Sequence, residues 1–142
     1  MIAGALVFEL YAPRRPVTYA LFVCSALLAT VVCFGCRYLV NAAAYWLLDA
    51  RGPNTFWTLT SGFLGGLYFP VWFFPDALAA VLVVATPFPS VIQIPLDVLV
   101  EHGSAARRLA LLGVQTGWVV VILACCRWVQ ARGERKLVIQ GG

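Results

Sequence analysis

Charge is what this sequence has least of. Ten lysines and arginines and six aspartates and glutamates make up 11% of its 142 residues, while 62% are hydrophobic. Soluble domains are roughly one quarter charged and about half apolar. A chain this poor in polar groups cannot clothe one water-soluble domain, so an apolar solvent, the bilayer, is expected in place of water. The mean hydropathy of +0.89 agrees. The net charge of +4 is small and sits beside apolar runs, which points to lipid headgroups and not to nucleic acid.

Histidine is nearly missing too. His102 is the single one, which leaves no His-rich metal cluster and argues against a His-based triad. Between Glu101 and Gly103 it reads as a solvated loop residue. A P-loop is absent: the glycine-rich run from Gly62 to Gly66 lacks the Gly-Lys-Ser/Thr ending, so ATP hydrolysis by that route is excluded for this chain. The carboxylates Glu9, Asp49, Asp76, Asp97, Glu101 and Glu134 all fall at expected helix ends or turns, which leaves a proton relay little to work with. Asp97 and Glu101, four apart, read as an exposed helix end. Cysteines 24, 33, 36, 125 and 126 lie inside apolar runs, and the Cys33–Cys36 pair reads as small buried hydrophobes. No catalytic residue, cofactor or metal site is expected. Residues 1–10 lack a basic leader and are too short to span, so no signal peptide is read; the chain is expected to start inside a helix, with something upstream missing.

Long apolar runs are what the sequence has in abundance. Residues 1–8 form a first, partial one, ended by Glu9 and a loop of two prolines around Arg14 and Arg15. Residues 17–48 are apolar except at Arg37 and Asn41, and as one helix would measure about 48 Å against a hydrocarbon core of about 30 Å. The span is therefore placed at about 17–39, with Arg37 snorkelling to headgroups and Tyr45 and Trp46 at the interface. A polar turn is expected at 49–54. Residues 56–74 read as a second full span, with aromatics at both ends and a Gly62–Gly66 GxxxG as a helix-packing face. Prolines 70, 75, 87, 89 and 95 then cut the next stretch into pieces at 77–86 and 91–100. Each measures about 15 Å, too short to cross. They are expected to form two re-entrant or interfacial helices within a segment of about 76–102, with Asp76 capping the first and Ser90 with Gln93 the second. A final span covers 109–126, where Gln115 and Thr116 are expected to face other helices. The fold class is thus an all-α polytopic membrane bundle of about three full spans, in one domain. Placing the basic tail in the cytoplasm puts Arg51, Arg127, Arg132, Arg135 and Lys136 inside, with Arg14, Arg15, Arg107 and Arg108 outside.

The order of short words along the chain is more specific than any one of them. Arg37-Tyr-Leu-Val-Asn-Ala-Ala-Ala-Tyr-Trp-Leu-Leu-Asp-Ala-Arg-Gly52, Ser61-Gly-Phe-Leu-Gly-Gly-Leu-Tyr-Phe-Pro70, Phe73-Phe-Pro-Asp76, Thr86-Pro-Phe-Pro-Ser90, Pro95-Leu-Asp97, Gln115-Thr-Gly-Trp118 and Arg135-Lys-Leu-Val-Ile-Gln-Gly-Gly142 follow one another from residue 17 onward. In this the chain resembles the type-2 ABC transporter permeases, the six-helix exporter subunits. The resemblance implies a plasma-membrane permease that pairs with a second permease, as homo- or heterodimer, and with separate ABC ATPase subunits. It also implies that the segment 75–102 forms short extracellular re-entrant helices, and that the chain is only the carboxy-terminal half of the fold. Candidate residues for helix packing or the translocation path are Gly62, Gly66, Gln115, Asn41 and Arg37. A small membrane-embedded regulatory or binding subunit is the alternative. A lipid-modifying enzyme is weaker, because no polar groups gather at one depth.

Overall fold

The computed structural model describes Pro13, residues 15–47 and residues 51–140. The apolar start at 1–8, Glu9 and Arg14, and the first residues of the expected turn, 49 and 50, lie outside the described residues. Among the described residues six α-helices follow one another: α1 Pro16–Ala42, α2 Arg51–Leu64, α3 Asp76–Ala85, α4 Phe88–Val91, α5 Gln93–Leu99 and α6 Ala105–Gln140. Single 3-10 turns lie at Ala43–Tyr45 and Val71–Phe73, and no strand occurs among the described residues.

Pro16 opens α1 in its first turn, where a missing N–H costs nothing. With 27 residues α1 is about 40 Å long. The 36 residues of α6 make about 54 Å. Both exceed the hydrocarbon thickness. Their most apolar stretches are only 22% and 17% buried, whereas the core helix of a soluble protein is mostly covered. Val17, Leu27 and Phe34 on α1, and Leu109 and Val120 on α6, stand exposed. A surface of that kind is stable in lipid and not in water, and the protein is an all-α membrane protein.

The two long helices run parallel. Ser25 meets Gln115, the Cys126 thiol reaches the Gly35 carbonyl, and Tyr45 lies over Gly133. Gly35 and Gly133 sit where a Cβ would collide with Ile122 and with the Tyr45 ring, so their missing side chains set how closely the helices approach.

Parallel helices need a return path between them, and α2 begins it beside the end of α1, where the Asn54 amide donates to Asn41 Oδ1 at 3.0 Å. The sequence reading needs two corrections here. The helix starts at Arg51, taking in Gly52, Pro53 and Asn54; the first-turn N–H groups have no helical partner, so Pro53 is tolerated. Residues 56–74 are also not one helix, because α2 ends at Leu64. Gly66 turns left-handed at φ 89°, and the Leu67 N–H bonds back to the Gly62 carbonyl at 3.1 Å, the closing bond of a Schellman cap. The expected GxxxG face is therefore not formed. Gly62 is the last-turn residue covered by the ring of Tyr68, and Gly66 lies beyond the helix against Gln93.

The proline-rich segment enters the bundle and comes back. Asp76 on α3 shares a cleft with Arg107 near the start of α6, whereas Val84 shares one with Gly117 and Val121 further along. Phe88 meets the Trp57 ring at 5.4 Å. The chain then returns through α5 until Glu101 pairs with Arg108 at 3.6 Å. Two buried apolar clusters seat this hairpin, one around Val83, Ile94, Val98 and Leu111, the other around Val32, Cys36, Trp57 and Ile122. The expected side-chain caps are not made. Pro75 and Ile92 are the residues before α3 and α5 and give no cap bond. Gln93 Oε1 instead accepts from the Val71 N–H at 3.0 Å.

Candidate functional site

Polar groups in this bundle are few, and several of those buried are bound to one another, whereas the Ser90 hydroxyl and Nε and Nη1 of Arg108 have no hydrogen-bond partner among the described residues. At mid-bundle, Gln115 is fully buried and joins three elements. The Ser25 hydroxyl of α1 donates to its Oε1 at 2.8 Å, and its Nε2 donates to the Ser90 carbonyl of α4 at 2.8 Å and to that of Ser25 at 3.3 Å. Thr116 lies on the exposed side and its hydroxyl returns to the Leu112 carbonyl of its own helix.

A second cluster sits at the end where α1 and α6 begin. Asp97, 3% exposed, accepts from the Trp72 indole at 2.9 and 3.0 Å and from Gln93 Nε2 at 2.7 Å. The exposed-end reading of Asp97 is thereby corrected: a carboxylate that accepts from two N–H groups, the indole's shared between both oxygens, is stable inside. His102 is exposed, yet stacks on Trp72 at 5.7 Å, and Arg107 caps the same ring at 4.4 Å. The Thr18 hydroxyl donates to Glu101, whose carboxylate also faces the buried Arg108. The spacing of Gln93, Asp97 and Glu101, each four apart, was the signal for this face. Trp72 and Thr18 carry no local signature, since their partners lie 25 and 83 residues away.

Asn41 is exposed at the far end of α1, bound to Asn54. Arg37 is exposed one turn earlier and closes an apolar groove of about 590 Å³ between α1 and the α4–α5 arm. Gln115, Arg37, Asn41, Gly62 and Gly66 are therefore not gathered at one place. Gln115 and the two glycines make contacts within the fold, while Arg37 and Asn41 face outward. The arrangement fastens helices together and leaves apolar faces free.

The family described as ABC-2 family transporter protein matches residues 4–141. No curated protein matches, and no solved structure does. Such permeases are membrane transport components that work with ABC ATPases, a role that fits long, barely covered apolar helices with hydrogen bonds kept inside. On a match spanning nearly its whole length, the chain belongs to the ABC-2 transporter family.

Proposed function

We propose that this chain is a transmembrane subunit of an ABC exporter, contributing part of the translocation path and driven by separate ATPase subunits beside a second permease. The family match across residues 4–141 carries this reading. The parallel arrangement of α1 and α6 supports three crossings, with α2 and the segment behind it as the return. The inward-and-back course of 76–102 supports a re-entrant hairpin entering from one side, in a single domain. Arg51, Arg127, Arg132 and Arg135 share the end where α1 finishes, and that end is assigned to the cytoplasm of a cell-membrane protein. Arg37 and Asn41, which face outward, are the path candidates, whereas Gln115 is a helix-packing residue and Gly62 and Gly66 shape the end of α2.

The test is purification of the tagged chain from its own membranes, followed by reconstitution. A P-loop ATPase is expected to co-purify, and inverted vesicles are expected to move a hydrophobic dye only with hydrolysable ATP. The reading fails when the intact chain purifies without any nucleotide-hydrolysing partner and its vesicles show no ATP-dependent transport.

A further inference from the structure

The groove beside α1 has an apolar lining that the fold does not use, and the exporter reading takes only Arg37 from it. One face of α1 supplies Ala26, Ala29, Cys33 and, at the end, Arg37; α4 and α5 supply Val91 and Pro95. From Phe22 to Arg37 the groove follows fifteen residues of helix, about 22 Å, more than the depth of about 15 Å that one leaflet's chains fill. Arg37 stands 21 residues beyond Pro16, about 32 Å along α1, which sets it at the headgroup level opposite the start of the helix. Its guanidinium has no hydrogen bond, ion pair or ring contact among the described residues. A cation at that depth needs an anion.

We propose that this groove holds one acyl chain of an anionic phospholipid, with the lipid phosphate bound by Arg37. A guanidinium presents two parallel N–H groups that match two phosphate oxygens. The apolar trough below takes the chain, and the small side chains of Ala26 and Ala29 make the room. A second copy of this chain suits the groove less well. Asp76, Asp97 and Glu101 lie at the opposite end of the bundle, so a parallel copy keeps these carboxylates away from Arg37. A phospholipid carries its own charge to that level. The inference needs only that the chain lies in a bilayer, and stands apart from the export reading.

The experiment embeds the full chain in nanodiscs of equimolar phosphatidylcholine and phosphatidylglycerol and counts the lipids that stay bound in native mass spectrometry. The wild type is expected to retain phosphatidylglycerol with a preference of about tenfold, the scale of one charge-assisted contact. Arg37→Gln, an exposed change that leaves the trough intact, is expected to bring the preference near unity. Ala26→Phe, which fills the trough and leaves Arg37, is expected to lower retention of both lipids severalfold. Equal retention of the two lipids by the wild type overturns the proposal. So does an unchanged preference in Arg37→Gln, or a dimer that survives delipidation while lipid retention ignores both variants.

Discussion

The Ser25 hydroxyl donates to Gln115 Oε1 at 2.8 Å, joining α1 to α6 across 90 residues of sequence. Because Gln115 also donates to the Ser90 carbonyl, one amide holds the hairpin against both long helices. All three residues are fully buried. In such surroundings a lost partner is replaced neither by water nor by lipid.

Gln115→Leu should therefore loosen the whole bundle. We expect a loss of about 1–2 kcal/mol in reversible unfolding from mixed micelles, with a Ser25–Gln115 coupling of about 0.6–1.7 kcal/mol in the double-mutant cycle. Thr116→Val, one residue along but outward-facing, should change stability by less than about 0.5 kcal/mol. Equal effects at the two sites would remove the special role of Gln115.

At Gly66 the cost should be one of backbone strain. Its φ of 89° disfavours any L side chain, and a Cβ there would press on Gln93, which holds the Val71 N–H. Gly66→Ala should destabilise by about 1–2 kcal/mol. Gly113 lies inside α6 with nothing within 4 Å of a built Cβ. Gly113→Ala should accordingly leave the thermal midpoint unchanged or raise it, by up to about 1 kcal/mol in stability terms. Matching midpoint losses for the two variants would contradict the cap described at the end of α2.

Asp97 supplies acceptors to the buried Gln93 amide and the half-buried Trp72 indole. Asp97→Ala leaves the Trp72 indole and the Gln93 amide without one, and should cost about 2–4 kcal/mol, whereas Asp97→Asn keeps an acceptor oxygen and should cost less. The emission of Trp72 should move to the red in Asp97→Ala, and this shift should vanish when Trp72→Phe is the background. An unchanged spectrum in Asp97→Ala would sink the assignment.

The legible parts of the fold were those with a hard physical limit behind them. Prolines are confined to the first turn of a helix, so the pieces expected at 77–86 and 91–100 correspond to α3 and α5, while α4 lies in the break expected between them. Pro16 and the sheer length of the apolar run fixed α1 in the same way. The break after Leu64 was hidden because a glycine that lets two helices touch and one that turns the backbone left-handed look identical in a sequence. The charged cluster was hidden for another reason. Asp97 at a helix end is compatible with solvent or with burial, and its fate is decided by Trp72, which reaches it from a different element. Of the site candidates, Gln115 was readable as the one amide in a charge-free run. Arg37 was readable as a cation near an interface, but not as the end of a groove whose other wall is α5.

The parallel pairing of α1 with α6 has a consequence during synthesis. A ribosome adding about 5–20 residues per second needs about 5–18 s to make the 90 residues that separate Ser25 from Gln115. For that interval α1 resides in the membrane without its main neighbour, its Ser25 hydroxyl confined to what its own helix or an insertase can offer. For those seconds newly made α1 is open to membrane chaperones and quality-control proteases at the face that Gln115 later covers.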